Sequence, residues 1–519
     1  MEKKSLPRVT YSNIGVDFAP LHAHLDREIP ALALGGFHPN RIGGRNDENG
    51  HRHSIFSPID NRLKLGEFVA ADAASVDRAV AAARKAADIW GRRPWASRVD
   101  AIRAVAAEIE RRKYDLGIAC LIEVGKSRLE AMGEAEETID LLRYYADEMA
   151  AKDGYERDMA RAFPREATRL VLRPHGVFAV IAPFNFPLAL SAGMMTGALL
   201  GGNAVVFKPG PRSGLTGAML TACFEAVLPP GTVNMVCGEA AGPELAAHPG
   251  IDGIAFTGSH AVGMELLRGQ AARAHMRPVN VEMGGKNPVH VTATADLDVA
   301  AEGTMRSAFG LTGQKCSACS VAFVERSVHD AFLAKLIEKT RALKIGDPRD
   351  RDVFMGPAID ADAGARYAGA VAAAKRDGTL VYGGARLADG VFAHGVYVEP
   401  AIATGLPYEH RLNREELFVP FLSVMAVDDL AQGVALANKV GYGLTAGVYA
   451  RDTFELDLFF DAAEAGVLYA NRRSGATTGA WPGIQTFCGW KGSGATGKGG
   501  LGPWYVPQFM REQSRTSMT

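Results

Sequence analysis

The chain lacks the features that mark secreted, membrane-spanning or nucleic-acid-binding proteins. Its 519 residues include only six cysteines, too few for a disulfide framework, so we expect free thiols and a cytoplasmic location. No apolar run approaches the roughly 20 residues of a transmembrane helix, and no secretory signal follows the charged N-terminus. The net charge of -1 provides no bulk attraction to nucleic acid or to a membrane. These absences favour a soluble globular protein, which could still bind anionic small molecules through local backbone donors.

The composition and length are those of a globular protein with two or three domains. Hydrophobic residues make up 47% and charged residues 22% of the chain, and no repeat or low-complexity segment is present. Residues 1–60 are rich in Gly, Pro, Asn and His and predict an irregular arm. Amphipathic patterns predict helices at 76–90, 98–111 and 135–150, and the weak alternation over 155–173 predicts a hairpin outside the main body.

A strand–helix alternation then begins and predicts a doubly wound α/β fold. Short apolar runs are typical of strands buried on both faces of a parallel sheet. The alternation restarts after Gly285 and predicts a second α/β domain from about residue 285. The predicted elements are strands at 176–182, 204–207, 232–236 and 253–257, then a strand at 288–291, a helix at 299–308 and a strand at 320–324.

Cys316 is the candidate nucleophile. It lies in the small-residue stretch 313–317, Gly-Gln-Lys-Cys-Ser, where a helix start and a polar opening would lower its pKa. The alternative is a cysteine buried as a small hydrophobe, which is the commoner fate of a single cysteine. Cys316 and Cys319 also form a bare Cys-x-x-Cys, but no second pair with zinc spacing lies nearby. We therefore predict no metal site.

Glu282 is the candidate base, and Asn185 completes the set. Glu282 ends an apolar run and precedes two glycines, a place where a carboxylate is costly to bury unless it is used or paired. A base that reaches a water is the functional interpretation, and a structural ion pair is the alternative. With Asn185, in Pro-Phe-Asn-Phe-Pro at 183–187, this set can oxidise an aldehyde through a thioester.

Two weaker signals indicate a dinucleotide. Residues 256–263, Phe-Thr-Gly-Ser-His-Ala-Val-Gly, follow a strand and open a helix, so backbone N–H groups could receive a pyrophosphate. A plain strand-to-helix turn is an equally good interpretation. Lys208 ends another strand, where its ammonium would face the ligand crevice, although a solvated lysine is the simpler explanation.

In this order, the motifs resemble those of the aldehyde dehydrogenase superfamily. The resemblance begins near residue 55 and includes the motifs at 182–187, 207–209, 256–259, 282–286, 313–316 and 415–420. It implies a Rossmann-type cofactor domain, an α/β catalytic domain and a small β element for oligomerisation. The implied bounds are 1–150 and 174–284 for the NAD(P)-binding domain, 285–485 for the catalytic domain, and 151–173 with 495–519 for the oligomerisation hairpin and tail.

The resemblance also implies a role for each matched residue. Cys316 attacks the aldehyde, the Asn185 amide and the Cys316 backbone N–H stabilise the oxyanion, and Glu282 activates water against the thioester. Lys208 and Glu416 would hold the two riboses, Phe418 would support the nicotinamide and Ser259 would lie by the pyrophosphate. The full set implied for the cofactor is Ile181, Ala182, Pro183, Phe184, Lys208, Gly242, Phe256, Gly258, Ser259, Val262, Met283, Gly284, Glu416 and Phe418.

Among subfamilies, the chain looks most like the 1-pyrroline-5-carboxylate, or glutamate-γ-semialdehyde, dehydrogenases. The resemblance lies in residues 315–318 and 478–487, in the acidic stretch 137–141 and in the aromatic tail 505–509. It implies an anchor for the substrate's α-carboxylate, an anion for its ammonium and two aromatic walls. In that order, the residues are Ser317 with the Gly479 and Ala480 backbone, then Glu137, then Phe186 and Phe487.

Several departures from the subfamily keep alternatives open. The loop 473–477 is longer and contains a second Gly-Ala pair, and Cys488 and Val419 replace usual glycines, which leaves another semialdehyde or a general aldehyde as the alternative substrate. Pro211 stands where NAD-preferring relatives often have glutamate, and Arg212 after it could meet a 2′-phosphate. We expect NAD, with NADP as the alternative.

The resemblance also implies a homodimer or higher homo-oligomer, in which the 155–173 hairpin pairs with the partner's second domain. A different class remains open, because fold does not fix function: a non-catalytic binding or structural protein on the same scaffold. The joint presence of Cys316, Glu282 and Asn185 favours the enzyme.

Overall fold

Two seven-stranded sheets organise the chain, one from residues before Gly285 and the other from residues after it. The computed structural model describes residues 6–10, 13, 16–475 and 480–518. Within those residues, no helix is long and apolar enough to cross a membrane.

The strands are numbered β1 to β24 in chain order. They are β1 Gly36–His38, β2 Asn40–Ile42, β3 Arg45–Asp47, β4 His51–Phe56, β5 Lys64–Ala70, β6 Arg157–Asp158, β7 Glu166–Pro174, β8 Val177–Ile181, β9 Ala204–Lys208, β10 Val233–Met235, β11 Gly253–Thr257, β12 Val279–Glu282, β13 Asn287–Val291, β14 Cys319–Glu325, β15 Thr379–Tyr382, β16 Arg386–Leu387, β17 Tyr397–Val398, β18 Ala401–Thr404, β19 Phe421–Val427, β20 Tyr442–Gly443, β21 Thr445–Tyr449, β22 Val467–Ala470, β23 Trp490–Lys491 and β24 Met510–Met518.

The helices are numbered α1 to α15. They are α1 Ala19–Glu28, α2 Ala73–Trp90, α3 Trp95–Arg111, α4 Lys113–Val124, α5 Arg128–Ala151, α6 Ala189–Leu200, α7 Gly214–Glu225, α8 Ala241–Ala247, α9 His260–Gln270, α10 Leu297–Phe309, α11 His329–Arg341, α12 Ala361–Asp377, α13 Arg411–Arg414, α14 Leu430–Asn438 and α15 Thr453–Ala462.

The first sheet has the order β12-β11-β8-β9-β10-β2-β3, and its first five strands are parallel. Every residue of β8, β9 and β11 is buried, which explains why their sequences are continuous apolar runs. This confirms the doubly wound α/β prediction. Because the strands are parallel, the turns after β8, β9 and β11 meet at one edge, where such sheets bind ligands.

The second sheet has the order β15-β18-β19-β14-β13-β21-β22, and only β15 is antiparallel to its neighbour. The predicted elements at 288–291, 299–308 and 320–324 correspond to β13, α10 and β14. β14 begins three residues after Cys316, so the nucleophile lies in the turn that enters the central strands of this sheet.

A smaller three-stranded sheet has the order β24-β7-β6. The predicted hairpin is present, since β6 pairs with β7 in antiparallel fashion. β24 extends it through nine paired positions, from Met510 opposite Pro174 to Met518 opposite Glu166. The C-terminal tail and the hairpin therefore form one element.

The prediction of an irregular arm over residues 1–60 is wrong. This segment contains α1 and β1 to β4, and β2 and β3 extend the first sheet beyond β10. These strands are short edge strands with few apolar residues, so pairing to the sheet, rather than an apolar pattern, decides their conformation.

Two helices near the site also differ from expectation. α4 was not predicted, because its residues from Leu116 to Val124 are all buried and show no polar face to set a period. The helix expected at 135–150 begins at Arg128, where Ser127 caps it by accepting a hydrogen bond from the Glu130 N–H. α5 packs on α3, α4 and α6, which brings its acidic residues to the interior.

Candidate active site

A cavity of about 1090 Å³ lies at the carboxyl ends of the first sheet and reaches the turn that carries Cys316. Its walls come from the turns after β8, β9, β11 and β12 and from α8 and α9. The segment 416–418, which precedes β19 of the second sheet, closes the remaining side. Apolar side chains with a few charged groups line it, as is usual for a cofactor site.

All fourteen residues predicted to bind the cofactor line this cavity. Cys316 and Asn185 line it as well, so the candidate nucleophile and its amide share one space with the predicted cofactor residues. The fourteen are Ile181, Ala182, Pro183, Phe184, Lys208, Gly242, Phe256, Gly258, Ser259, Val262, Met283, Gly284, Glu416 and Phe418. Their individual roles stay predictions.

At one end of the cavity, Lys208 is almost fully buried at the end of β9. Burial lowers the pKa of its ammonium, because a charged group loses its hydration there. Its stem crosses close to α8, since a Cβ placed on Gly242 would lie 3.9 Å from the Lys208 Cδ. A polar group on a ligand would therefore meet a poorly hydrated cation.

In the middle, the N-terminus of α9 faces the cavity. Ser259 caps the helix by accepting a hydrogen bond from the Val262 N–H at 3.4 Å. Gly258 must be small, because a Cβ there would lie 2.5 Å from the Phe256 ring. The open N–H groups and the helix dipole suit an anion such as a pyrophosphate.

At the other end, Glu416 lies against the turn after β12. Its Oε1 accepts a hydrogen bond from the Gly285 N–H at 3.0 Å, and burial raises its pKa to about 7. A Cβ on Gly284 would lie 2.0 Å from the carboxylate, so a side chain at this position would have to displace Glu416. Phe418 holds a left-handed backbone (φ 56°) and meets the Phe184 ring edge-on at 6.0 Å. A planar ring of a ligand could therefore lie between the Glu416 carboxylate and the Phe418 and Phe184 rings.

The segment that leads into the turn carrying Cys316 has a left-handed backbone conformation. Leu311, Thr312 and Gly313 all have positive φ values of 48°, 57° and 67°, and such strain persists only where the surroundings impose it. Asn287 then holds the turn, donating from Nδ2 to the Cys316 carbonyl at 2.7 Å and to the Ala318 carbonyl at 3.0 Å.

The expected helix start and lowered pKa at Cys316 are wrong. The residue lies in a turn between a short 3-10 segment and β14. Burial and the carboxylates of Glu416 and Glu282 raise the pKa of the thiol to about 12, against weaker donation from backbone N–H groups. Cys316 is half-buried, so the sulfur remains reachable from the cavity.

Asn185 is tied directly to the nucleophile's turn. Its Nδ2 donates to the Gln314 carbonyl at 2.9 Å, which fixes the amide beside the segment leading to Cys316. An amide carries two N–H donors, and this bond uses one of them.

Glu282 is the last residue of β12, and burial raises its pKa to about 8. Its Oε1 accepts a hydrogen bond from the Gly500 N–H at 3.2 Å. Among the described residues, no lysine, arginine or histidine lies within ion-pair distance of it, so the ion-pair alternative is wrong. A carboxyl whose pKa lies this close to neutral pH is suited to exchange protons with water.

The residues predicted to bind the substrate lie outside the large cavity, as far as they are described. Gly479 lies outside the described residues, as does Ala476 of the competing Gly-Ala pair. Ser317 is fully buried, and its Oγ has no hydrogen-bond partner in the described part of the chain. A buried hydroxyl costs free energy when it is not bonded, so this group, next to the nucleophile, suits a polar ligand atom.

The other members of this set pack around α5. Glu137 is buried on α5, Ala480 is buried in the core cluster, and Phe487 packs against that cluster. The segment after residue 480 is held to α5 by the Trp481 Nε1, which donates to the Asp140 carboxylate at 3.0 Å.

A buried charge network under Phe186 was not predicted. Lys126 is 1% exposed and its Nζ lies 3.6 Å from the Phe186 ring. It pairs with Glu134, whose other oxygen accepts hydrogen bonds from the Leu188 and Ala189 N–H groups at 2.8 and 3.1 Å. The network therefore positions the segment that carries Asn185 and Phe186.

A second pair in this network positions the nucleophile's turn. Lys315, next to Cys316, donates to the Glu130 carboxylate at 2.8 Å. The sequence did carry a signal for both pairs, because Glu130, Glu134 and Glu137 recur at helical spacing on one face of α5. Acidic residues along one face usually indicate a solvated surface, and here that face is buried.

Three comparisons with known proteins agree on one family. The aldehyde dehydrogenase family profile matches residues 45–514. An alpha-ketoglutaric semialdehyde dehydrogenase of Bacillus subtilis is 36% identical over 432 residues, 82% of this chain and 88% of that protein. A 1-pyrroline-5-carboxylate dehydrogenase of Geobacillus sp. is 33% identical over 494 residues, 93% of this chain and 94% of that protein. The crystal structure of a 1-pyrroline-5-carboxylate dehydrogenase from Thermus with bound NAD superposes with a TM-score of 0.92 at 31% identity, over 100% of both chains.

Proposed function

The chain belongs to the aldehyde dehydrogenase family, and on that premise we propose that it oxidises glutamate γ-semialdehyde, the open form of 1-pyrroline-5-carboxylate, to glutamate with NAD(P). The observation that carries the choice of substrate is the buried Ser317 hydroxyl, which has no partner among the described residues and follows Cys316 directly. A carboxylate at that place would accept its hydrogen bond.

The cavity fits a dinucleotide by three independent features. Lys208 offers a buried donor for a ribose, the N-terminus of α9 offers N–H groups for a pyrophosphate, and Gly284 leaves room beside Glu416 that a side chain would fill. When bound, NAD(P) supplies an acceptor for hydride and a positive charge beside the thiol. That charge would oppose the raised pKa of Cys316.

In the proposed reaction, the Cys316 thiolate, which each turnover regenerates, attacks the aldehyde carbon and forms a C–S bond while the carbonyl π electrons move to the oxygen as an oxyanion. The Asn185 amide and the Cys316 backbone N–H donate to that oxygen, which stabilises it where charge develops. A nicotinamide held by the cavity would supply the hydride acceptor, so that the adduct on Cys316 could become a thioester.

Glu282 acts in the second half of the reaction. Its carboxylate takes a proton from water as the water oxygen attacks the thioester carbon, and the C–S bond breaks to release the acid and the Cys316 thiolate. The hydrogen bond from Gly500 orients the carboxylate without neutralising it. The balance is one aldehyde, one water and one oxidised cofactor, giving one acid, one reduced cofactor and a proton.

The rest of the substrate would lie between α5 and the 480–487 segment. Glu137 provides a buried carboxylate suited to an ammonium, and Phe186 and Phe487 provide apolar walls for the methylene chain. The Ala480 and Gly479 backbone would share the carboxylate with Ser317.

A second candidate substrate is α-ketoglutaric semialdehyde, which the relative of 36% identity is named for. The two compounds share the carboxylate and the aldehyde and differ at the α-carbon, where one carries an ammonium and the other a carbonyl. The acidic Glu137 favours the ammonium.

The test is a comparison of kcat/KM for both semialdehydes and for an uncharged aldehyde of similar length, followed by the absorbance of the reduced cofactor. We expect 1-pyrroline-5-carboxylate to give the highest value. A higher kcat/KM for α-ketoglutaric semialdehyde would favour the second candidate substrate. An equal kcat/KM for the uncharged aldehyde would contradict both substrate assignments. No turnover, with Cys316 labelled by iodoacetamide, would favour a non-catalytic protein.

We also propose that the protein is a homo-oligomer assembled through the β24-β7-β6 sheet. Residues 511–518 of β24 are exposed in the single chain, and a three-stranded sheet with one open face is marginal without a covering surface. Light scattering on the full chain and on a chain ending before β24 tests this, and a wild-type monomer would contradict it.

A further inference from the structure

Two adjacent residues near the C-terminus, Gly500 and Leu501, connect the proposed base to helix α5. We propose, resting on the function above, that Tyr145 of α5 is a positioning residue for Glu282, because its hydroxyl fixes this dipeptide and the dipeptide in turn holds the Glu282 carboxylate. Tyr145 was not among the predicted site residues, and its side chain lies outside the set that lines the large cavity.

The two N–H groups of the dipeptide bind the base and α5. The Gly500 N–H donates to the Glu282 Oε1 at 3.2 Å, and the Leu501 N–H donates to the Tyr145 Oη at 3.0 Å. The Tyr145 Oη also lies 3.5 Å from the position that a Cβ on Gly500 would take. The hydroxyl is therefore one peptide unit away from the bond that orients the base.

The two carbonyls of the dipeptide bind the segment 483–487. The Gly500 carbonyl accepts a hydrogen bond from the Phe487 N–H at 2.9 Å, and the Leu501 carbonyl accepts one from the Gly483 N–H at 3.1 Å. Phe487 is one of the two aromatic walls predicted for the substrate. The dipeptide thus joins the base, the substrate segment and α5 in one hydrogen-bonded unit.

Leu501 has a backbone conformation that depends on this support. Its φ of 63° lies in the left-handed region, which a residue with a side chain adopts only where the surroundings impose it. The Tyr145 side chain is fully buried, and its ring stacks on the Tyr505 ring with centroids 5.1 Å apart, so the hydroxyl is held in place. Without that acceptor, the buried Leu501 N–H would be unpaired, and the dipeptide would shift to satisfy it.

Such a shift would change the ionisation of Glu282. Burial raises the pKa of Glu282 to about 8, while the hydrogen bond from Gly500 lowers it, because the bond stabilises the carboxylate over the acid. Burial also raises the pKa of every other titratable group that its charge affects, and these groups are Cys316, Cys488, Tyr145 and Tyr505. During thioester hydrolysis Cys316 is acylated and the others are protonated, so a pH dependence near 8 reports on Glu282.

Tyr145→Phe removes the hydroxyl and keeps the ring. Thioester hydrolysis at pH 7 should slow by about fivefold, the rate equivalent of one neutral hydrogen bond. The pH of half-maximal rate should move above the wild-type value, because weaker donation from Gly500 favours the acid form of Glu282. At high pH the rate should approach that of the wild type, whereas general structural damage would lower the rate by the same factor at every pH.

Hydrolysis can be measured without the semialdehyde. With NAD present, p-nitrophenyl acetate acylates Cys316 and releases nitrophenol in a burst, and the steady rate that follows reports hydrolysis of the acetyl thioester. Tyr144→Phe is the matched control, because it removes the neighbouring hydroxyl of α5, which interacts with Glu148 instead. This control should leave both the rate and the pH of half-maximal rate unchanged.

Hydrogen exchange gives a second readout that needs no turnover. Mass spectrometry of a peptide that spans residues 499–503 should show faster amide exchange in Tyr145→Phe than in the wild type or in Tyr144→Phe, because the Leu501 N–H loses its acceptor.

An unchanged pH of half-maximal rate in Tyr145→Phe would overturn the inference, as would an equal slowing at every pH or unchanged exchange over residues 499–503. The fate of the proposed function is separate. A wild type that hydrolyses the ester but does not oxidise the semialdehyde would overturn the proposed substrate alone. Semialdehyde oxidation with an unaltered Tyr145→Phe would overturn the inference alone.

Discussion

The two ends of the active site are built in different ways. The cofactor end is assembled from short turns that directly follow parallel strands, and each contributes its residue through a local motif. The substrate end is assembled on α5, where Glu134 pairs with Lys126 of the preceding turn and Glu130 pairs with Lys315. These pairs hold the segments around Phe186 and Cys316 from a long distance in sequence. Damage at the cofactor end should therefore stay local, whereas damage under the substrate end should reach both the stability and the chemistry.

Cys316 lies where the two ends meet, and its removal should have the largest effect. Cys316→Ala should lower aldehyde oxidation by roughly 10⁴-fold or more, because no other described side chain of the cavity offers a thiol nucleophile. The Kd for NAD, measured by calorimetry, should stay within about threefold of the wild type. A variant that retains turnover would contradict the proposed role, and one that loses NAD would contradict the independence of the two ends.

Glu282 tests the chemistry between the two ends through pH. A base acts in its ionised form, so with a pKa of about 8 the rate of thioester hydrolysis should rise with pH up to about 8 and level off above it. Glu282→Gln should slow hydrolysis by roughly 10²–10⁴-fold and remove that rise. Stopped-flow should still show a burst of reduced cofactor, since the first half of the reaction does not need the base; absence of the burst would refute the assignment.

Lys126 tests the claim that the substrate end depends on buried charge. Lys126→Met leaves Glu134 buried without its cation and should lower the free energy of unfolding by about 3–5 kcal/mol, measured by urea denaturation. The double variant Lys126→Met, Glu134→Gln should recover part of the loss. Lys335→Met removes an exposed pair with Asp298 at 2.9 Å and should cost about 0–1 kcal/mol. An equal loss of unfolding free energy in Lys126→Met and Lys335→Met would contradict the claim that the substrate end depends on buried charge.

Ser317 tests substrate recognition and should have the smallest effect. Ser317→Ala should lower kcat/KM for the carboxylated substrate by about tenfold, the loss of one hydrogen bond to a charged group, and leave an uncharged aldehyde unaffected. Ser320→Ala is the matched control, because the Ser320 Oγ also has no partner among the described residues but lies further along β14. A loss shared by both substrates would indicate a structural role.

The contrast between a cofactor end built from local motifs and a substrate end built from distant partners also explains what the sequence could predict. The strands at 177–181, 204–208 and 253–257 are apolar runs that can only be buried, and the residues that follow them must face one edge of a parallel sheet. This reasoning pointed to Lys208 and to the turn at 256–263, and the family resemblance named the rest of the fourteen cofactor residues.

Residues whose environment is set by distant partners could not be predicted. Glu130 and Glu134 read as a solvated helix face, and only the pairing with Lys315 and Lys126 explains their burial. The pKa of Cys316 was expected to fall, but burial raises it, together with the carboxylates of Glu416 and Glu282, which come from positions far apart in the chain. Edge strands β2 and β3 were missed for the same reason, since β2 pairs with the distant β10 and β3 pairs with β2.

The donor to Glu282 belongs to Gly500, only ten residues before β24 begins. That glycine-rich run is also fastened downstream, where the Asn203 Nδ2 donates to the Phe509 carbonyl at 2.8 Å. Shortening the protein from its C-terminus, or attaching a bulky affinity tag there, should therefore disturb the hydrogen bond from Gly500 to Glu282, the proposed base. Expression vectors for this enzyme should carry their tags at the opposite terminus.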